Sequence, residues 1–289
     1  MGYIIRTTAL FLMLTLLFMG VGAVLWYFLF DGTTDSFILI MGAFIVFAAL
    51  INLFSFFFSK SIVLRAHRVK IIERGDDPRL YGIVEGLATG AGLPMPQVGI
   101  TNNPTPNAFA TGRGPKNAAV VATTGLLSLL DDAELRGVMA HELAHVKNRD
   151  ILIMSVAATI AGAVSIMARF AIFGAMGRRD TGSLVIMFLA YLTIPIAAML
   201  IQLGISRGRE YKADETGAKI CYDPLALASA LEKLENGNIA RPMMNEHPSS
   251  AHMWIANPFG GKKGAAFLFS THPPIRERIE RLNKMAGRL

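Results

Sequence analysis

Four stretches of this chain, residues 8–30, 36–58, 151–176 and 182–205, are long and apolar enough to cross a lipid bilayer. Each exceeds the ~20 residues that a helix needs to traverse a hydrocarbon core of ~30 Å. No other feature limits the fold as much, because it leaves two separate polar pieces, 59–150 and 206–289. Composition agrees: 53% of residues are hydrophobic and only 17% charged, against roughly 25% charged in ordinary soluble domains. The first stretch is too long for the apolar region of a signal peptide, has no small-x-small cleavage site, and leads at once into the second. It is expected to be a retained anchor.

The loops give an orientation. The turn 31–35 is short and acidic, with Asp31 and Asp35. Lys60, Arg65, Arg68 and Lys70 follow the second stretch, and Arg207, Arg209 and Lys212 follow the fourth. Lys and Arg collect on the cytoplasmic side of membrane proteins, so both polar pieces and both termini are expected there. Arg178 and Arg179, in the short outer turn, run against this, and Asp180 offsets one of them. Arg169 lies inside the third stretch and is assigned no function. The net charge of +7 thus has a membrane origin. No aromatic-basic interleaving accompanies it, so no nucleic-acid partner is expected. Cys221 is the one cysteine; it cannot form an internal disulfide and is expected to be a partly buried thiol.

The expected organisation is α+β: four transmembrane helices with a cytoplasmic domain that contains a small β-sheet. Residues 1–58 hold two spans, 59–150 the first part of the domain, 151–205 two more spans, and 206–289 its second part. Residues 77–91 have helical periodicity, with Leu80, Ile83, Val84 and Leu87 on one side. Residues 97–101, 108–112 and 118–123 read as strands. A short helical piece covers 126–130. Asp131 and Asp132 then cap a new helix, acidic at its positive end. Residues 237–265, rich in Gly, Asn, Pro and Ser, read as a long mobile loop.

The capped helix carries His141-Glu-Leu-Ala-His145. Histidines at i and i+4 stand one turn apart on one face, so both imidazoles can reach one metal ion. Glu142 is placed to hold a water polarised by the metal and to act as general base on a peptide carbonyl. Leu135, Val138, Met139, Leu143 and Val146 form one apolar stripe, and Glu142 falls inside it. An unpaired buried carboxylate is costly, so a purely structural helix would rarely place one there.

A catalytic zinc site usually takes a third protein ligand and keeps one open position. Glu210 and Asp214, at i and i+4 just after the fourth stretch, are the best source. Glu210 can ligate, and Asp214 can accept a hydrogen bond from a ligand imidazole and fix its tautomer. Taken locally, the same residues also suit a charged helix start with surface pairs such as Glu210 with Arg207. Topology favours the ligand: the motif helix ends where the third stretch begins, and Glu210 emerges just after the fourth, on the same side. His67, His247 and His252 are weaker choices.

With HELAH, SRGREYKAD and a C-terminal THPP in place around the four stretches, the chain resembles the HtpX-type proteases of the M48 metalloprotease family over nearly its whole length. The resemblance implies a zincin-like domain that holds one Zn²⁺ per subunit through His141, His145 and Glu210. Glu142 would be the base and Asp214 the partner behind a ligand. Asn107, Ala108, Phe109 and Ala110 look like the family's substrate-side edge strand, which could take an extended peptide by β-augmentation; an ordinary hairpin strand is the alternative. His272, in Thr271-His-Pro-Pro-Ile-Arg276, would donate to the oxyanion. The other reading of that stretch is a helix start followed by Arg-Glu-Arg-Ile-Glu-Arg on a solvated face. Asp150 could brace the motif helix or simply mark the membrane boundary. The implied activity is endoproteolysis of misfolded membrane proteins at the bilayer of a bacterial or archaeal cell. A prenyl-protein protease and a membrane scaffold with a vestigial metal site are the alternatives.

Overall fold

The computed structural model describes residues 2–29, 33–175, 182–184, 187–188, 207–240, 242–243, 253–256 and 273–287. Helices α1 (Gly2–Leu29) and α2 (Thr34–Ala66) form a hairpin. Among the described residues these two are long and apolar enough to cross a membrane. Leu10, Leu14 and Phe18 of α1 and Ala48 of α2 pack with Leu152, Val156 and Ile160 of a third helix, α6 (Ile151–Ala175). Leu12, Leu16, Leu39, Leu50 and Leu53 point outward and stay exposed, an apolar surface of the kind a bilayer covers. The apolar part of α6 described as such, Ile151–Gly162, is shorter. The fourth stretch lies almost wholly outside the described residues, as do Arg178, Arg179, Asp180 and the Arg169 side chain.

Helix α2 does not end where its apolar run ends at 58. It continues to Ala66 for a total of 33 residues, about 50 Å at 1.5 Å per residue. Val63 and Leu64 on the extension are packed into the domain. The chain leaves the helix at Arg68, which takes a positive φ of 50°.

The domain is built on a four-stranded mixed sheet of order β1-β2-β4-β3. Strands β2 (Gln97–Thr101), β3 (Ala108–Gly112) and β4 (Ala118–Thr123) have the bounds that alternation suggested. Strand β1 (Lys70–Ile72) is a further one, antiparallel to β2; three residues headed by a lysine are too few to show periodicity. β2 runs parallel to β4, and β3 runs antiparallel to it. Ala108, Ala110, Val120 and Ala122 face a core shared with α3 (Pro78–Gly90), the short α4 (Thr124–Leu129) and α5 (Asp132–Asn148). Phe109 and Val121 face the other way, toward the end of α2 and Ala158 of α6.

Helix α5 opens with a capping box: Glu134 N–H donates to Asp131, and the Glu134 carboxylate accepts from Asp131 N–H. It is not the one-sided amphipathic helix that its stripe suggested, since Gly137 through Val146 are all buried. Helix α7 (Arg207–Cys221) covers one side and α8 (Pro224–Ala240) another. Gly217 and Gly137 make this closeness feasible. A Cβ on Gly217 would lie 2.9 Å from the His141 backbone, and one on Gly137 would lie 2.9 Å from Leu227 N. Cys221 is a buried free thiol.

Two expectations need correction. Residues 237–240 are not loop but the last turn of α8, and Met253, Trp254, Ile255 and Ala256 are buried; their apolar side chains dock on the sheet. Met243 is buried as well; apart from 242–243, the rest of the 237–265 segment, with His247 and His252, lies outside the described residues. The solvated face that the alternative reading gives to the residues after Thr271-His-Pro-Pro is also only partly so. In α9 (Ile275–Ala286), Arg276 is exposed, but Arg278 is fully buried.

Candidate active site

Helix α5 presents His141 and His145 to α7, which presents Glu210. All three are buried. Their nearest ligand atoms form a small triangle: His141 Nε2 to His145 Nε2 is 3.2 Å, His145 Nε2 to Glu210 Oε1 is 3.5 Å, and His141 Nε2 to Glu210 Oε2 is 3.8 Å. A tetrahedral ion with bonds of about 2.0–2.1 Å holds its ligand atoms about 3.4 Å apart. Among the described residues this is the group of three or more His, Cys, Asp and Glu side chains that could hold a metal.

The surrounding groups suit a metal. His141 Nδ1 lies 2.9 Å from Asp214 Oδ1. That bond places the proton on Nδ1 and leaves Nε2 with a lone pair toward the triangle. Burial pulls the His141 imidazole down to about 4, against the pull of Asp214, so it is neutral. His145 behaves oppositely: burial works against its charge, but Asp150, Glu210 and Glu142 draw a proton onto it and raise it to about 9. A cluster that recruits a proton in this way is short of positive charge, which a dication would supply. Asp150 Oδ2 stands 3.5 Å from His145 Nδ1, at ion-pair rather than hydrogen-bond distance. Asp150 therefore sits behind the second histidine as Asp214 sits behind the first.

Arg278 completes the polar core, and it was missed from the sequence. Its Nε donates to Asp214 Oδ2 at 2.9 Å and its Nη2 to Asp214 Oδ1 at 2.7 Å, a bidentate pair. Burial alone would push Asp214 up, but Arg278 and His141 outweigh it and hold the carboxyl at about 2. The indication was available: Ile275, Arg278, Ile279 and Leu282 recur at helical spacing, and a charge in an apolar stripe is the same anomaly that marked Glu142.

Glu142 lies on α5 near the Ala110 N–H of β3, which favours its charged form. Burial pushes the carboxyl up to about 8, with Glu210 adding to the rise. A carboxyl poised near neutrality can take and return a proton, as a general base requires. Asn107, Ala108, Phe109 and Ala110 are all buried along β3. The free edge of that strand is engaged: Gly112 N–H donates to Ser155 Oγ at 3.0 Å, and Ala108 C=O accepts from Ile255 N–H at 3.0 Å. His67, a weak candidate ligand, stacks instead on Phe109 and Trp254. His272 lies outside the described residues.

Residues 75–286 match the profile of Peptidase family M48. The chain belongs to that family. The match spans every residue of the triangle, and it makes the chain a metalloprotease. Relatives agree over almost their whole length. "Protease HtpX homolog" of Thermococcus sibiricus is 50% identical, over 99% of this chain and 97% of its own. The homologue of Pyrococcus abyssi is 50% identical with the same coverage. That of Syntrophobacter fumaroxidans is 47% identical, over 99% of this chain and all of its own. Together with the apolar helices, these likenesses make this M48 peptidase membrane-bound. In fold, the crystal structure of S. mikatae Ste24p is similar, with a TM-score of 0.52 at 18% identity over 91% of this chain. The chain spans about three-fifths (61%) of that protein's length.

Proposed function

We propose that this M48 peptidase is a zinc endopeptidase with four membrane spans and a cytoplasmic domain, and that it cleaves misfolded or damaged membrane proteins beside the bilayer. The observation that carries the reading is the convergence of His141, His145 and Glu210 in a buried pocket, with Glu142 next to them on the same helix. The apolar outer faces of α1 and α2 support a catalytic domain tied to the membrane surface.

One zinc ion per chain, held by His141, His145 and Glu210, would supply Lewis acidity toward a peptide carbonyl and an incoming water. Asp214 keeps His141 in the ligating tautomer, and Arg278 keeps Asp214 ionised. Glu142, with its raised pKa, takes the proton from the water as it attacks and passes it to the leaving amine. The Asn107–Ala110 strand would align an extended substrate beside Glu142, and His272 would donate to the oxyanion.

The test is casein cleavage by detergent-purified, zinc-loaded protein, run beside Glu142→Gln and Glu210→Ala with metal measured on all three. Glu142→Gln should keep about one zinc per chain, as such a site implies, and lose cleavage by roughly a hundredfold or more. Glu210→Ala should lose zinc. Undiminished zinc in Glu210→Ala would remove that residue from the ligand set, and full activity in Glu142→Gln would remove the base.

A further inference from the structure

The edge of β3 beside Glu142 is where a peptidase of this design would seat its substrate, yet a piece of the chain itself lies there. Ile255 and Ala256 are held there by their main-chain groups. Ile255 N–H donates to Ala108 C=O at 3.0 Å. Ala256 N–H donates to Asn107 Oδ1 at 3.2 Å, and Asn107 Nδ2 donates back to Ala256 C=O at 2.8 Å. Arg278 Nη1 donates to Ile255 C=O at 2.9 Å, and the same nitrogen is 3.9 Å from Glu210 Oε2. Both N–H groups and both carbonyls of two consecutive residues are therefore gripped. The polar grip is on the backbone, while the Ile255 and Ala256 side chains, 2% and 1% exposed, pack into the apolar core.

We infer that Asn107, Ala108 and Arg278 form a clamp for the main chain of one two-residue stretch of peptide, and that Ile255–Ala256 occupies it as an internal competitor of substrate. The inference rests on the peptidase reading of the site and adds its regulation. The clamp lies beside the proposed catalytic group: Arg278 pairs with Asp214, its Nη2 is 3.4 Å from His141 Nε2, and its Nη1 is 3.9 Å from Glu210 Oε2. One of the four bonds, Ile255 N–H to Ala108 C=O, is the main-chain-to-edge kind by which β-augmentation holds a foreign strand; the other three come from the Asn107 and Arg278 side chains. The anchor is Trp254, 1% exposed, whose ring packs edge-on to Phe109 at 4.8 Å and to His67 at 5.1 Å. Its indole N–H is buried and finds no hydrogen-bond partner among the described residues. An orphaned donor of this kind opposes docking, as befits a segment that must yield to substrate.

If the segment fills the clamp nine-tenths of the time, substrate meets a competent site in the remaining tenth and its apparent affinity is lowered roughly tenfold. Two measurements test this. First, Trp254→Gly should lower KM for a fluorogenic apolar peptide by roughly that factor and leave kcat nearly unchanged. Second, Trp26→Phe leaves Trp254 as the single tryptophan of a chain that has two. In that background with Glu142→Gln and zinc loaded, titration with a dye-labelled, tryptophan-free apolar octapeptide should raise dye anisotropy. It should also red-shift Trp254 emission and open it to iodide quenching over the same concentration range. Peptide that binds without changing Trp254, or a KM that stays or rises in Trp254→Gly, would make 253–256 a fixed wall and overturn the inference alone. Failure of wild-type, zinc-loaded enzyme to cut the peptide would instead sink the peptidase reading of the site and the competitor with it.

Discussion

Gly217→Ala is expected to weaken metal binding although it touches no ligand side chain. A methyl at position 217 would sit 2.9 Å from both the N and the Cα of His141 and 3.1 Å from the Ala140 carbonyl carbon, all of it backbone. Ordinary contact begins near 3.4 Å, so α7 must move off α5 by about half an ångström. Inserting a methyl into a packed core costs about 1–3 kcal/mol. How this cost divides is set by the site. Without metal, α7 can shift and shed most of the strain. With metal in the proposed site, Glu210 on α7 and the two histidines on α5 would be tied to one ion, and the helices would be drawn back into the clash. The strain therefore falls mainly on the metal-bound state and appears as affinity, roughly five- to a hundred-and-fifty-fold at 1.4 kcal/mol per decade. Competition against a chromophoric chelator on folded, detergent-solubilised protein measures it. Wild-type zinc affinity in a folded Gly217→Ala protein would refute the view that the α5–α7 contact sets the ligand geometry.

Gly137→Ala is the matched control. It presses on Leu227 of α8, which carries no ligand, so it should lower the thermal midpoint by a few degrees and leave zinc affinity unchanged by the same chelator assay. Asp214→Asn should lower zinc affinity 10–100-fold, the usual effect of losing a group that orients a ligand. It should also destabilise the fold by about 3–5 kcal/mol, because Arg278 stays buried with its counter-charge gone; a thermal midpoint close to wild type would argue against that pairing.

Much of the metal group was legible because it uses features that act within one helix. His141 and His145 lie one turn apart, Glu142 breaks an apolar stripe, and Glu210 with Asp214 repeats the one-turn spacing. The three longer strands were visible by alternation, and the α5 cap by Asp131. What stayed hidden depends on contacts between distant segments. Arg278 looked like one basic residue among several on α9 until its partner, 64 positions earlier, was in place. Gly217 looked like a weak helix residue, when its purpose is to let His141 approach. Ile255 and Ala256 lie in a stretch whose Gly, Pro and Asn content suggests loop. Their burial comes from Trp254 and from bonds to a strand nearly 150 residues away. The overrun of α2 beyond its apolar run had no hydropathy to mark it.

That overrun has a spatial consequence. The helix continues from Ser59 to Ala66 beyond its apolar run, a rod of about 12 Å at 1.5 Å per residue. Its far end is embedded among Phe109, Val121 and Trp254 rather than joined by a flexible linker. The candidate active site is thus held at a set height, like a blade on a fixed post. A substrate anchored in the same bilayer would be cut only where its chain, measured outward from its own exit point, is long enough to climb to that height. Lengthening the rod by one helical turn should move the cut farther from the membrane, and loosening it with a glycine linker should blur the position of the cut.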